Sequence, residues 1–591
     1  MNTKMKRFNL NTCRILFTTC LSALCIIALS TQAATITVTN TNDSGAGSLR
    51  QALVDAVDGD TINFNSSLNG ETITLTSGQL VVDKSVAING PGAPNLAVNG
   101  NAADRVFYIS EDLTVTISGL TIENGNVGGL GGYGGGIFNA HSTLTVSNCT
   151  IRNNSALHGG GGIFNYGDWA SAALTITNCA ISLNSTTYYW DGNGGGISSS
   201  GFFGSATLEV LNSTVSDNWA ANNGGGIFNG GVAGNATLAV NNSTVSGNSA
   251  AYGGSGGGLY NDGSFWDFST TSSATMTINK STVSGNYALV WGGGTYNNGF
   301  GGNATLAITN STLSGNSAYY ADWVFNDGSY GNATLTVNNS TLRSDSSHFS
   351  GIFNSGDLGS ATLAMGNTIL TAGSSGRNIW NRSGTVTSLG YNLSDDDGGA
   401  LLNQPGDQIN TAPSLGPLQD NGGPTLTHAL LPGSPAIDAG DPNFTPPPDH
   451  DQRGTGFPRV FNNRVDIGAF EVQTVAPAYA GQVQSPINPD GSSTFNVRRG
   501  VVPVKFSLTL GGVATCDLPP ATIAVTRTAG GVIGEINESV YSGNADNGSN
   551  FRIDSCLYVY NLNARALGVG TYRVDILING QVVGSAVFAL N

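Results

Sequence analysis

Charge is what this 591-residue chain has least of. Asp, Glu, Lys and Arg together make up 10% of it, with 22 basic residues against 38 acidic ones. A surface so poor in cations repels a phosphate backbone, which excludes nucleic acid as a natural partner. Histidine is nearly as scarce. Its five copies, His141, His158, His348, His428 and His450, show no metal-ligand spacing. Beyond residue 33 no apolar run approaches the length of a membrane-spanning helix. What abounds instead is glycine, at 84 positions, together with Thr, Ser, Asn and Val. That composition suits short strands joined by polar turns. Hydrophobic residues form 39% of the chain, enough for a core, so the glycines do not signal disorder.

Most of the early basic charge is concentrated at the very start. Lys4, Lys6, Arg7 and Arg14 lead into a mostly apolar stretch over 15–29, and Ala33 supplies the small residue of a signal-peptidase site. Residues 1–33 read as an export signal, so the expected location is extracellular or the cell surface. Cleavage there leaves 18 basic and 38 acidic residues, a net charge of −20. Cations, neutral glycans or a basic protein surface fit such a molecule, and the mature chain carries no membrane-spanning segment. Cys516 and Cys556 share a C-terminal region and are expected to form a disulfide, which export permits.

The central part repeats itself. GGGIFN at Gly134 recurs at Gly160, as GGGISS at Gly194, then as GGGIFN at Gly224, GGGLYN at Gly256 and GGGTYN at Gly292. Weaker copies follow near Asp322, Gly351 and Asn378, and the aligned positions are 26 to 36 residues apart. A coil with loops at its corners absorbs such variation, whereas a helical array would lose register. Each repeat holds three short alternating segments, in one copy 226–228, 237–240 and 243–246. Leu238, Val240 and Val245 are expected inward, with Thr237 and Thr244 outward. Strands this short bury a face only by stacking, so the predicted fold is all-β: a right-handed parallel β-helix with coils about 4.8 Å apart. Asn229, Asn261, Asn297, Asn326 and Asn354 share one corner, and Asn218, Asn248, Asn286 and Asn316 another, as stacked ladders would. The glycine triplets permit a tight corner. No helical pattern follows them, so they are not a phosphate cradle. Cys149 and Cys179 take the Ser243 position in adjacent coils, where stacked thiols are favoured over a disulfide.

Residues 48–56 read as a short amphipathic helix capping the first coil, with Ser48 and Gln51 as a capping box. The run ITVTNTNDSGAGSLRQAL, followed by GGGIFN and TLTVSNCTIRNNSA, resembles exported bacterial β-helix proteins of the pectin-lyase-like superfamily. The repeat is also similar to that of polymorphic outer-membrane proteins. Further on, SPAIDAGDPN, DQRG and VDIGAFE resemble the choice-of-anchor Q domain, which implies proximity to a surface anchor but no chemistry. Residues 479–591 alternate strongly and read as a small immunoglobulin-like sandwich. Within them, Val502-Pro503-Val504-Lys505-Phe506 resembles the signature of the PxKF domain, implying attachment or spacing. The expected organisation is a signal at 1–33, cap and irregular coils at 34–125, and regular coils at 126–383. A choice-of-anchor-like region at 384–472, a linker at 473–478 and the sandwich at 479–591 complete it.

The superfamily resemblance raises the question of catalysis. Lyases of this kind need Ca²⁺ ligands and a base, and hydrolases need paired carboxylates. Acids in the coils are few, and no acidic pair with a basic neighbour falls on one strand face. Asp168, Asp262, Asp327 and Asp357 follow the repeat's Phe-Asn corner, where they read as turn residues or as a metal row. The densest acids are Asp438, Asp441, Asp449, Asp451, Asp466 and Glu471, interleaved with Arg453, Arg459 and Arg464. They read either as a Ca²⁺ site or as Asp–Arg pairs that pin a long loop. No other cofactor is expected. The sharper signal is aromatic. Trp169, Tyr189, Trp190, Trp219, Tyr252, Trp266, Trp291 and Tyr320 recur beside the corners and are expected to align along one edge, where flat rings can bind a glycan or a surface protein. The expectation is a non-catalytic adhesive scaffold; the alternative is a polysaccharide lyase or glycoside hydrolase.

Overall fold

The structure is a computed structural model that describes residues 33–591 except 130, 266–271, 345–348, 373–375, 474–478, 531–533, 537–545, 547 and 579–580. Residues 1–32 of the export signal, Trp266 and residues 474–478 of the linker lie outside the described residues. The chain divides into two compact units, one extending to Val472 and the other being Gln473–Asn591.

The first unit is a parallel β-solenoid. In one coil, Ile227–Gly230 joins an eleven-stranded sheet, Asn235–Asn241 a thirteen-stranded sheet and Thr244–Ser246 a twelve-stranded sheet. A fourth strand, Ser249–Ala250, then joins a six-stranded row. At two residues it is too short for alternation to reveal, so the sequence shows three segments where the coil has four. Register is strict: Leu238 pairs with Met276, which is followed by Leu306, Leu335 and Leu363. Leu238, Val240 and Val245 are fully buried, as alternation predicts. A slip of one residue would turn that column to solvent.

Polar columns run beside the apolar ones. The Asn248 amide oxygen accepts both the backbone N–H (3.0 Å) and the side-chain N–H (2.9 Å) of Asn218, while its own amide donates to Val215 O (2.9 Å). The pattern repeats at Asn184, Asn218, Asn286 and Asn316. A second ladder links Asn229, Asn261, Asn297, Asn326, Asn354 and Asn381 through amide contacts of 2.7–2.8 Å. In a third, the Ser281 hydroxyl accepts the Ser243 N–H at 3.1 Å. Cys149 and Cys179 belong to this column as free, buried thiols, with Cys149 N–H donating to Cys179 Sγ at 3.4 Å. The position needs only a small side chain with an acceptor atom.

The triplets act as the corner requires. Gly224 has φ +67°, and a Cβ on Gly225 would lie 2.3 Å from the Gly257 carbonyl oxygen of the next coil. At the start, the helix Leu49–Asp55 buries Leu49, Ala52 and Leu53, and Ser48 accepts the Gln51 N–H. The expected capping box does not close. Ser48 N–H already donates to Gly45 O, and the Gln51 amide donates one turn on, to Asp55 Oδ1 at 2.8 Å.

After the last coils the chain turns back over the twelve-stranded sheet. Thr282 donates to Leu426 O (2.6 Å), Thr312 donates to the Gln452 side chain (2.6 Å), and Thr341 Oγ1 accepts the Ala469 N–H (3.0 Å). The same threonine column is exposed at Thr214, where no strap covers it. The second unit has two five-stranded sheets, one containing Val501–Leu510 and Leu557–Asn563, the other Ala521–Ala529 and Gly570–Ile578. Their inner faces share one core, with Val504, Phe506 and Tyr560 packed among Ile523, Ile576 and Phe588, as in a sandwich. Cys516 and Cys556 are bonded, with Cα atoms 4.8 Å apart.

Replacing Asn248 with Ala strands the donors of Asn218 and the Val215 carbonyl in the interior. A loss of roughly 2–3 kcal/mol in urea unfolding is expected, against less than about 0.5 kcal/mol for Thr237→Ala on the outer face. Equal midpoints for the two variants would refute the role of the ladder.

Candidate functional site

In the eleven-stranded sheet each coil contributes Ile-Phe-Asn or a variant. Period two turns the first and third residues inward and the middle one outward. After Val81 on the first strand, the outward residues in register are Tyr108, Phe138, Phe164, Ser198, Phe228, Tyr260, Tyr296, Phe325, Phe353 and Trp380. All but Ser198 are aromatic. Ring centroids lie 5.4 Å apart for Phe228–Tyr260, 4.9 Å for Tyr260–Tyr296, 5.2 Å for Tyr296–Phe325 and 4.7 Å for Phe325–Phe353. Arginines close both ends, with Arg105 5.0 Å over Phe138 and Arg377 4.8 Å over Trp380. Although they face away from the core, Phe228, Tyr260, Tyr296, Phe325 and Phe353 are only 5–7% exposed.

Loops on both sides of the sheet cover this row and make it the floor of a trough. From the triplet side come Trp291, 6.1 Å from Tyr296, and Tyr320, 6.1 Å from Phe353. The turns after the strands contribute Phe300 and Tyr330, 5.3 Å apart. Between the walls lies a groove of about 920 Å³ over Tyr260, Tyr296 and Asn298. A second hollow, of about 550 Å³, lies over Ser198 and Gly230.

The other rings stand outside or along these walls. Tyr189, Trp190 and Tyr252 are 51%, 73% and 60% exposed on the triplet side, with Trp219 edge-on to Tyr252 at 5.7 Å. Trp169, 70% exposed, stacks on Phe203 at 4.4 Å on the opposite side. The rings expected along one edge therefore stand on two, with Trp291 and Tyr320 leaning in between. Trp266 is among the residues not described. The floor itself escapes a search for aromatics near corners. Its signal is an aromatic at the outward position of strand after strand, where alternation calls for a polar residue.

The turn acids border the same trough. Asp262 and Asp327 each accept an N–H two residues on, from Ser264 (3.1 Å) and Ser329 (3.0 Å), which is the Asx-turn role. Their remaining capacity meets the floor. Tyr296 donates to Asp327 at 2.8 Å, and the Asn298 amide donates to both Asp262 and the Tyr260 hydroxyl at 2.9 Å. Burial pushes Asp262 up to about 6, against the hydrogen bonds from Ser264 and Asn298 that hold it down. Burial also raises Asp168, which accepts the Ser200 hydroxyl (2.6 Å) and the Phe202 N–H (2.9 Å). Asp357 pairs with Arg382 at 2.8 Å. Burial and then the nearby carboxylates hold the Tyr260 and Tyr296 hydroxyls well above their ordinary range, so both remain neutral.

The acids after the repeats serve the strap. Asp451, wholly buried, takes Arg453 at 2.7 Å and the Glu471 N–H at 2.8 Å. Asp466 accepts the N–H groups of Asp438 (2.6 Å) and Val472 (2.5 Å). Asp441 closes a turn onto the Asn443 N–H at 2.8 Å, and the Asp449 backbone carbonyl accepts the Arg459 N–H at 2.9 Å. Burial, reinforced by the Asp466 charge, pushes Glu471 up to about 8. Among the described residues no three His, Cys, Asp or Glu side chains converge as a cation site. The strap is held here by one close pair, Asp451–Arg453, and by backbone N–H groups that donate to Asp451 and Asp466. No described helix is long and apolar enough to cross a membrane.

A carboxyl raised on folding binds more protons folded than unfolded, so stability falls as pH climbs from the unfolded value to the folded one. For Asp262 that window runs from 3.8 to about 6, and for Glu471 from 4.5 to about 8. Thermal unfolding should therefore show stability declining from pH 4 to pH 8. Asp262→Asn should make the decline below pH 6 shallower, with Asp466 and Glu471 still contributing there, and leave the decline above pH 6. A variant curve parallel to wild type below pH 6 would contradict the assignment. No protein-family model matches the chain and no curated protein is significantly similar to it, so the case for function rests on the trough itself.

Proposed function

We propose that this chain is a non-catalytic exported or cell-surface scaffold that holds a glycan in the aromatic trough. The observation that carries the reading is the groove over Tyr260 and Tyr296, walled by the more exposed Trp291 and Tyr330 and set on a row of nine aromatic rings. Pyranose rings present apolar C–H faces to aromatics, and their hydroxyls suit the amide, hydroxyl and carboxylate groups that Asn298, Ser329 and Asp327 bring to the groove. Nine coil steps separate Tyr108 from Trp380, roughly 43 Å at about 4.8 Å each. An extended, β-linked sugar chain advances by close to one coil step per residue, so a polymer can repeat its contacts as the walls repeat. The leader-like start and the resemblances to choice-of-anchor Q and PxKF modules support delivery to, and attachment at, a cell surface.

A hydrolase is the second reading, favoured by one feature. Asp262 and Asp327 stand two coils apart, roughly 10 Å, and Asp262 titrates near 6. That spacing is at the upper limit for an inverting pair, and each acid is also committed to its own turn.

The test exposes residues 34–591 to neutral, amino and acidic polysaccharides with and without Ca²⁺, recording retention, new reducing ends and unsaturated sugar together. Retention without products is expected, weakened about tenfold or more by Trp291→Ala or Tyr296→Ala. Products abolished by Asp262→Asn would replace this reading with the hydrolase. Neither retention nor products would refute the glycan and point to a protein partner.

A further inference from the structure

The aromatic floor is interrupted once. At the coil Ile197–Ser200 the repeat reads Ile-Ser-Ser-Ser, so Ser198 stands where its neighbours on either side, Phe164 and Phe228, present rings. The next outward positions are small as well, Ser200 and then Gly230. With no ring at Ser198, the Phe164 and Phe228 rings are two coil steps apart, roughly 10 Å, beneath the hollow of about 550 Å³, and the edge of Phe228 leans over Gly230.

The lining of this hollow has one electrostatic sign. Among the described residues Asp168, Asp191 and Asp262 border it, and no Lys or Arg does. Among the described residues Asp168 accepts from the Ser200 hydroxyl and the Phe202 N–H and lies within electrostatic reach of His141, and Asp262 accepts from Ser264 and Asn298. Asp191 lies 2.6 Å from His158 Nδ1 and also borders Tyr133. Among the described residues the carboxylates are thus met by dipoles and by two histidines, His158 and His141, with no guanidinium or ammonium lining the hollow. By contrast, the larger groove carries Arg382 beside Asp357. Aromatic faces complete the hollow at Phe164, Phe228 and Phe202. Carboxylates together with ring faces, partly shielded from water, suit a compact organic cation and repel a uronate.

We propose that the hollow at Ser198 is a cation subsite that takes the free ammonium group of an amino sugar within the bound chain. The glycan held by the trough is then one that contains amino sugars without N-acyl groups. This inference rests on the glycan reading above and adds the chemistry of the ligand.

Calorimetry with three oligomers of equal length separates the two claims: β-linked glucosamine, its fully N-acetylated form, and a neutral β-glucan. The glucosamine oligomer is expected to bind about tenfold more tightly than the other two. Ser198→Phe restores the repeat's usual residue and fills the hollow without changing charge. It should erase that preference, read within the variant as the ratio of the glucosamine oligomer's affinity to the neutral oligomer's. Asp168→Asn, which keeps an acceptor for Ser200, should reduce the preference without filling the space. A preference that survives Ser198→Phe would be the general attraction of an acidic protein for a polycation, and would overturn the subsite. Equal binding of all three oligomers by wild type would overturn the subsite and leave the trough as a glycan site. Binding of none would overturn both.

Discussion

A residue inside the solenoid has its own counterpart about 4.8 Å above it and another below. Everything else in the first unit answers to that repetition. Apolar positions become columns, as from Leu238 to Leu363, and a polar residue can be interior by satisfying a copy of itself. Asparagine does so. Its carbonyl accepts from the coil before, its amide donates to the coil after, and a second N–H reaches a backbone carbonyl. Serine and cysteine meet the same demand with one acceptor atom, which is why Cys149 and Cys179 fit a serine column without bonding to each other. The glycine triplets belong to the same constraint, since the backbone of the next coil occupies the space a Cβ would need.

Repetition also makes the outer surface periodic. One aromatic per strand becomes a continuous floor, and one loop per corner becomes a wall. The trough is thus a by-product of stacking, and its length follows from the number of coils. Breaks in the period then stand out as local departures: Ser198 opens the floor, and the strap covers a threonine column that is open elsewhere. The acids divide along the same line. Those in the strap are pinned by Arg453 and by backbone N–H groups, while Asp168, Asp262 and Asp327 belong to turns that also border the trough.

Much of this was legible in the chain itself. The repeat, the inward positions of Leu238 and Val245, the corner role of the glycines and the asparagine columns all follow from short-range periodicity, because in a solenoid the neighbour in space is the next repeat in sequence. Two-residue strands such as Ser249–Ala250 carry too little pattern to be read. The capping box at Ser48 and Gln51 matched the motif but not the geometry, because Gly45 already receives the N–H that the motif requires.

Sequence alone determined the stacked architecture, since each repeat must find the next in register to bury its single apolar face. Tertiary structure decided what the surface does with the remainder. Which aromatics lie on the floor and which on a wall depends on where loops of unequal length fold over the sheet. Whether Asp451 or Asp262 faces an arginine or an open hollow depends on segments far apart in the chain. Local spacing carries no record of either, because both depend on what packs over the coil once it has formed.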